Sequence, residues 1–274
     1  MDAIDTHLHV WSGDFGRYPF APARPQAAPA TVELLEEVMG AAAVSRAVIV
    51  QPIHYLYDNR YVADCLGRHP DRLAAIGLLD QKAPEAPDRL ESLVRDCGFS
   101  GLRIHLKSRV SDPAEWATAD QDPLWQRAAD LGACFCVHGP CDLLPALVPI
   151  VRRFPTVPVI LDHIGGAPTD EEPPYPRLQT VLDLAALPNV HVKLTPQPHK
   201  SGEPYPHRDT FATFRRFVEA YGAERLMWGT NFPGVLRQTG YVRACEMFRV
   251  HADFLSDAER EWVMYRTAEK LWHW

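Results

Sequence analysis

Two histidines two residues apart, His7 and His9, end a short apolar run beginning at Ala3-Ile4 near the start of this chain. In an extended strand, residues i and i+2 point to the same side, so both imidazoles project together. Such a pair is either half of a metal site or two polar residues leaving the end of a sheet. Other segments carry matching groups. Gln51, Arg103, His138, His163, Lys193 and Asn231 each stand at or just after the end of an apolar run. Taken singly, each has a plain structural explanation: Arg103 as an ion-pair partner, Lys193 as a snorkelling surface side chain, His163 as a satisfied core histidine. Their recurrence at the same end of five or more runs is what points to chemistry. Imidazoles move protons or ligate metals, while Arg and Lys hold carboxylates and polarise carbonyls.

The elements that must position these residues alternate regularly. After the first run come apolar strands at Ala47–Gln51, Leu73–Leu79, Gly101–Leu106, Ala133–His138, Pro158–His163, Val190–Leu194 and Arg225–Gly229. Between them, helical spacing predicts helices over Val32–Ala42 (capped by Thr31), Asn59–Arg68, Ala86–Cys97, Asp122–Leu131, Leu143–Phe154, Arg177–Ala186 and Asp209–Tyr221, with closing helices from Tyr241 and Ser256. Eight strands alternating with helices predict an α/β fold, a parallel (β/α)8 TIM-like barrel, with residues 1–274 as one domain. The competing open doubly wound sheet lacks its Gly-x-Gly-x-x-Gly turn after any strand. In a barrel the chemistry sits at the C-terminal strand ends, where the candidates fall. The long Ser12–Ala30 loop and the Pro-rich Gly165–Pro176 stretch are expected to wall or cover that mouth.

The bulk numbers agree with a soluble enzyme. The chain has 274 residues, 46% hydrophobic and 23% charged, with a net charge of −7. There is no basic block for nucleic acid, and no apolar run of membrane-spanning length. No signal-peptide pattern precedes the first strand, so a cytoplasmic location is expected. Six scattered cysteines do not form a disulfide framework, and Cys134 and Cys136 read as small hydrophobes on one strand face. Self-association into a homo-oligomer stays open.

His7-x-His9 on strand one, His138 on strand five, Asp162-His163-x-Gly165 on strand six and Trp228-Gly229-Thr230-Asn231-Phe232-Pro233 after strand eight resemble the amidohydrolase superfamily. Asp5-x-His7-x-His9-x-Trp11 and Gly-Thr-Asn-Phe-Pro are similar to its amidohydrolase-2 branch of lactonases and aromatic-acid decarboxylases. The resemblance runs over nearly the whole chain. It implies a divalent metal, usually zinc, held by residues matching His7, His9 and His138 with an Asp after strand eight. It also implies an acid/base or substrate-polarising role for His163, and some lactonases of the branch work without a metal. Asn231 departs from the pattern, standing where that Asp is expected. An amide gives a metal no anionic ligand, and it cannot accept a proton, a function typically worth about 10²–10⁴-fold in rate.

The leading expectation is hydrolysis of a small anionic or oxygen-rich lactone or ester. His163 would transfer the proton, Arg103 and Lys193 would grip or polarise the substrate, and Gln51, His54, Tyr55, Thr195 and Trp11 would line its pocket. Asn231 joins His163 and Arg103 among the catalytic candidates. Decarboxylation of an unsaturated or aromatic acid is a second expectation, since no water then needs activating. A barrel that only binds a ligand is the third. His105, two residues beyond Arg103, either lines the mouth or packs inside the barrel. The Trp262, Tyr265, Trp272 and Trp274 cluster is expected to seal the barrel base or an oligomer contact.

Overall fold

A computed structural model describes residues 2–22, 24, 27–106 and 113–274; three residues of the Ser12–Ala30 loop lie outside that description. The strands are β1 (Ile4–Leu8), β2 (Arg46–Val50), β3 (Leu73–Gly77), β4 (Gly101–His105), β5 (Cys134–His138), β6 (Val159–Leu161), β7 (Val190–Leu194) and β8 (Leu226–Trp228). They form one parallel sheet in sequential order. The cylinder closes where the ends of β8 and β1 meet: His9 N–H donates to the Phe232 carbonyl at 2.8 Å, and Asn231 N–H to the His7 carbonyl at 2.7 Å. Gly229 permits that approach, since a Cβ there would stand 2.7 Å from the His7 Cβ.

The helices between strands are α1 (Val32–Ala41), α2 (Arg60–Arg68), α3 (Ala86–Arg95), α4 (Asp122–Leu131), α5 (Val148–Arg153), α6 (Pro176–Leu182) and α7 (Phe211–Tyr221). They are followed by α8 (Tyr241–Glu246), α9 (Asp257–Glu261) and α10 (Thr267–Leu271). Local chemistry sets their ends: the Thr31 hydroxyl accepts from Leu34 N–H, Gly132 caps α4 at φ 65°, and Ser256 forms a capping box with Glu259 before α9. The helix expected over Leu143–Phe154 is instead a 3-10 stretch, Cys141–Leu147, leading into a short α5. Pro145 lies inside that stretch and has no N–H to continue an α-helical ladder.

Strand alternation sorts the side chains. Leu102, Ile104, Phe135 and Val137 face the helices, whereas Ile4, Val48, Val50, Ala74, Ile76, Cys134, Cys136, Ile160 and Met227 fill the barrel interior. Trp272 joins that interior cluster, with Tyr265 and Trp274 against it, so these members of the C-terminal aromatic group close the barrel's base. Trp262 packs with the outer layer instead. All six cysteines are free. Among the described residues no helix is long and apolar enough to cross a membrane.

Candidate functional site

The same alternation decides which polar side chains reach the mouth. On β4, Arg103 and His105 follow the inward parity; on β5, His138 follows Cys134 and Cys136; after β6, Asp162 follows Ile160; on β7, Lys193 faces inward. β1 is irregular between Asp5 and Leu8, where its register against β2 shifts. A shift of that kind re-aims the side chains beyond it, and it brings His7 and His9 inward although Ile4 already faces the interior. Two further residues turn by backbone strain. His163 has φ 52° and Asn231 φ 62°, and the left-handed conformation re-aims each from where a regular strand would put it.

Asp162 is the hub beneath the mouth. Its Oδ1 lies 3.0 Å from Lys193 Nζ and 3.1 Å from His7 Nδ1, and its Oδ2 accepts from Arg103 Nε at 3.0 Å. Its side chain is wholly buried, as are those of Lys193 and His7. Burial alone would raise the carboxyl pKa, but Lys193, His7 and Arg103 outweigh it and hold Asp162 well below the usual range. Lys193, pushed down by burial, is pushed up more by Asp162 and stays an ammonium.

The imidazoles above are neutral. Burial, helped by Arg103, lowers His9 and His105 to about 3 and His138 to about 4, and burial drives His7 and His163 well below the ordinary histidine value. His9 Nδ1 sits 2.7 Å from the Val50 carbonyl, which makes it the donor and leaves Nε2 with a lone pair. His163 Nδ1 lies 3.1 Å from the Thr195 hydroxyl. The His7 and His163 rings stand 4.3 Å apart, centroid to centroid, and those of His138 and His163 5.4 Å.

Above the hub opens a cavity of about 550 Å³. Of the residues expected from sequence, His9, Trp11, His54, Arg103, His138, His163 and Asn231 line it. The others act elsewhere. Gln51 falls on the outward parity, and its amide donates to the Leu56 and Asp58 carbonyls of the β2–α2 loop. The Tyr55 hydroxyl accepts from Ser12 N–H and ties down the long loop. Thr195 reaches the cavity only through His163, and Lys193 is held below it by Asp162, out of reach as a direct grip on substrate. Sequence reasoning passed over Asp162 as a hub and Arg237 in the lining; His105, left open between the mouth and the barrel interior, lines the cavity. An inward Arg on β4 and an inward Lys on β7 needed a buried anion, and that was the available signal for Asp162.

A second carboxylate holds the frame. Asp5, fully buried, accepts from Thr230 N–H at 2.9 Å, from the Thr230 and Tyr241 hydroxyls at 2.5 and 2.9 Å, and from His7 N–H at 3.1 Å. It thereby fixes the His7 and Asn231 segments against each other. Burial raises its pKa to about 6 against those hydrogen bonds.

Among the described residues, the metal implied for His7, His9 and His138 finds imidazole nitrogens but no uncommitted carboxylate. His7 turns Nδ1 to Asp162, which leaves its buried Nε2 without a partner, so His7 and His9 each keep a free imidazole nitrogen. Among the described residues the carboxylate nearest the mouth, Asp162, already neutralises two protein cations. Asn231 contributes no charge, and among the described residues no three His, Cys, Asp or Glu side chains are placed to hold a metal ion. The described lining of the mouth carries no carboxylate, and Asp162 beneath it is committed to Lys193 and Arg103.

The chain is 31% identical over 252 residues to an L-fucono-1,5-lactonase of Burkholderia ambifaria, covering 87% of this chain and 82% of that relative. Its fold matches a protein assigned as a 2-pyrone-4,6-dicarboxylic acid hydrolase of Pseudomonas putida, at TM-score 0.82 and 24% identity over 98% of this chain and 96% of that one. It also matches an amidohydrolase of Burkholderia multivorans with bound Zn, at TM-score 0.79 and 23% identity over 99% of each chain. The family described as amidohydrolase covers residues 4–274, and with eight parallel strands delivering His7, His9, His138 and His163 to one end, the chain belongs to that family.

Proposed function

We propose that this chain is a lactonase-like hydrolase that opens a small anionic or oxygen-rich lactone at the barrel mouth. The observation that carries the reading is the convergence of His163, Arg103 and Asn231 on one cavity that is cationic and lined by neutral imidazoles. The relatedness to a lactonase supports it.

Each residue has a part that its surroundings allow. His163, neutral and steadied by Thr195, is free to accept a proton from water as the oxygen attacks the ring carbonyl. Arg103 has its Nε on Asp162, so its terminal N–H groups are what it can offer a carbonyl oxygen that becomes an oxyanion. Lys193, fixed below, adds positive potential without touching substrate. When the tetrahedral centre collapses, the ring C–O bond breaks and His163 returns its proton to the departing alkoxide. One lactone and one water give one hydroxy acid. Asn231 cannot take a proton; it orients the water or the ring oxygen by hydrogen bonds.

Following acid release with a pH indicator across a panel of small sugar and aromatic lactones tests the function. The expected result is turnover of at least one lactone well above the spontaneous rate. A folded protein that opens none of them contradicts the reading.

A further inference from the structure

Lys193 cannot reach the substrate, so anion recognition has to come from elsewhere on the cavity wall. Arg237 stands there, in the turn Gly234–Arg237 that follows β8. It is exposed, and among the described residues no hydrogen bond or ion pair involving its guanidinium is recorded. Arg103, the other lining guanidinium, lies on β4, four strands away around an eight-stranded cylinder, so the two approach the cavity from opposite sides. The described lining contains no Asp or Glu, although the chain as a whole carries −7. Acidic residues are thus in excess over the protein and missing from the described part of this wall. The six imidazoles at and below the mouth, His54 among them, are all held toward the neutral form and add no positive charge at neutral pH. Arg103 and Lys193 together outweigh Asp162 by one charge, and Arg237 adds a second.

We propose that Arg237 is a specificity-determining residue, selecting lactones that carry a carboxylate outside the ring. The ring carbonyl then sits against Arg103 and His163 while the distal carboxylate meets Arg237, whose planar fork matches a carboxylate with two parallel hydrogen bonds. Gln238, beside it in the lining, can donate to the same group. A neutral sugar lactone offers this guanidinium only uncharged hydroxyl and carbonyl oxygens, weaker acceptors than a carboxylate. The proposal rests on the lactone-hydrolysis reading for its substrate, but the recognition of an anion does not require turnover, and that separates the two.

The test uses the wild type, Arg237→Gln and Arg237→Lys with a matched pair of five-membered lactones. One bears a carboxymethyl arm; the other bears the same arm as its carboxamide. The wild type should prefer the carboxylate. Arg237→Gln should lower kcat/KM for it by about 10- to 100-fold, the range expected for losing a hydrogen bond between charged groups. Most of that loss should appear in KM, the carboxamide should change by less than about threefold, and Arg237→Lys should restore part of the difference. In parallel, glutarate, a dicarboxylate that cannot be hydrolysed, is titrated by calorimetry. Arg237→Gln should weaken its binding about tenfold. If neither lactone turns over yet glutarate binding depends on Arg237, the function reading fails and this inference stands. If the wild type shows no preference for the anion, or Arg237→Gln changes neither selectivity nor glutarate binding, the inference is overturned.

Discussion

Replacing Asp162 by Asn keeps the shape of the side chain and removes the anion that Lys193 and Arg103 share. Lys193 and Arg103, each 3.0 Å from a carboxylate oxygen, would then be buried beside one another without a counter-charge. Breaking a buried pair by deleting one partner typically costs about 3–5 kcal/mol. Lys193 can escape by losing its proton, but giving up an ammonium proton at neutral pH is itself unfavourable, so this route does not remove the penalty. Against a total stability of about 5–15 kcal/mol, that is a large fraction. Urea unfolding followed by circular dichroism should show Asp162→Asn with a much lower midpoint and an unchanged slope. Asp162→Asn combined with Lys193→Met should be more stable than the sum of the two single losses predicts, because the second change removes the orphaned charge. A loss under about 1 kcal/mol for the single variant, or strict additivity in the cycle, refutes the hub as described.

Thr195→Val should lower kcat by about tenfold while leaving KM nearly unchanged, since it frees the His163 ring without touching substrate; an unchanged kcat contradicts that role. Acid should destabilise the protein for a reason visible at the mouth. The folded-state values of His9, His105 and His138, about 3 to 4, lie below the unfolded 6.5, so the stability of their neutral forms is present above pH 6.5 and is lost as pH falls toward those values. At pH 5 each accounts for at most about 2 kcal/mol, and His105→Gln should flatten the pH 7-to-5 dependence of stability by about that amount. Asp5 acts in the opposite sense, because its folded value of about 6 exceeds the unfolded one, and its contribution fades as pH rises from about 4 to 6. Finally, protein equilibrated with zinc and desalted should hold well under one zinc per chain by elemental analysis; stoichiometric zinc removable only by strong chelators contradicts the donor-set argument.

The barrel was legible because apolar runs and helical spacing alternate eight times, a pattern that only buried parallel strands need. Which polar residues meet was legible only in part. His9, Arg103, His138 and His163 were placed correctly at the mouth because strand ends were identifiable. Gln51 and Lys193 were not, for a geometric reason: one residue of parity separates a pocket wall from a loop brace, and one step along a strand separates a surface cation from a buried one. Helix ends suffered where proline intervened, as at Pro145. Arg237 lies nine residues beyond β8 in a loop, where periodicity carries no information about what a side chain faces.

The most direct test of the central claim is the rate of lactone opening by His163→Gln beside the wild type, with both proteins matched in thermal midpoint. Placing the proton transfer on this imidazole predicts a fall in kcat of about 100-fold or more. Equal rates in the two proteins, once folding is shown to be intact, contradict it.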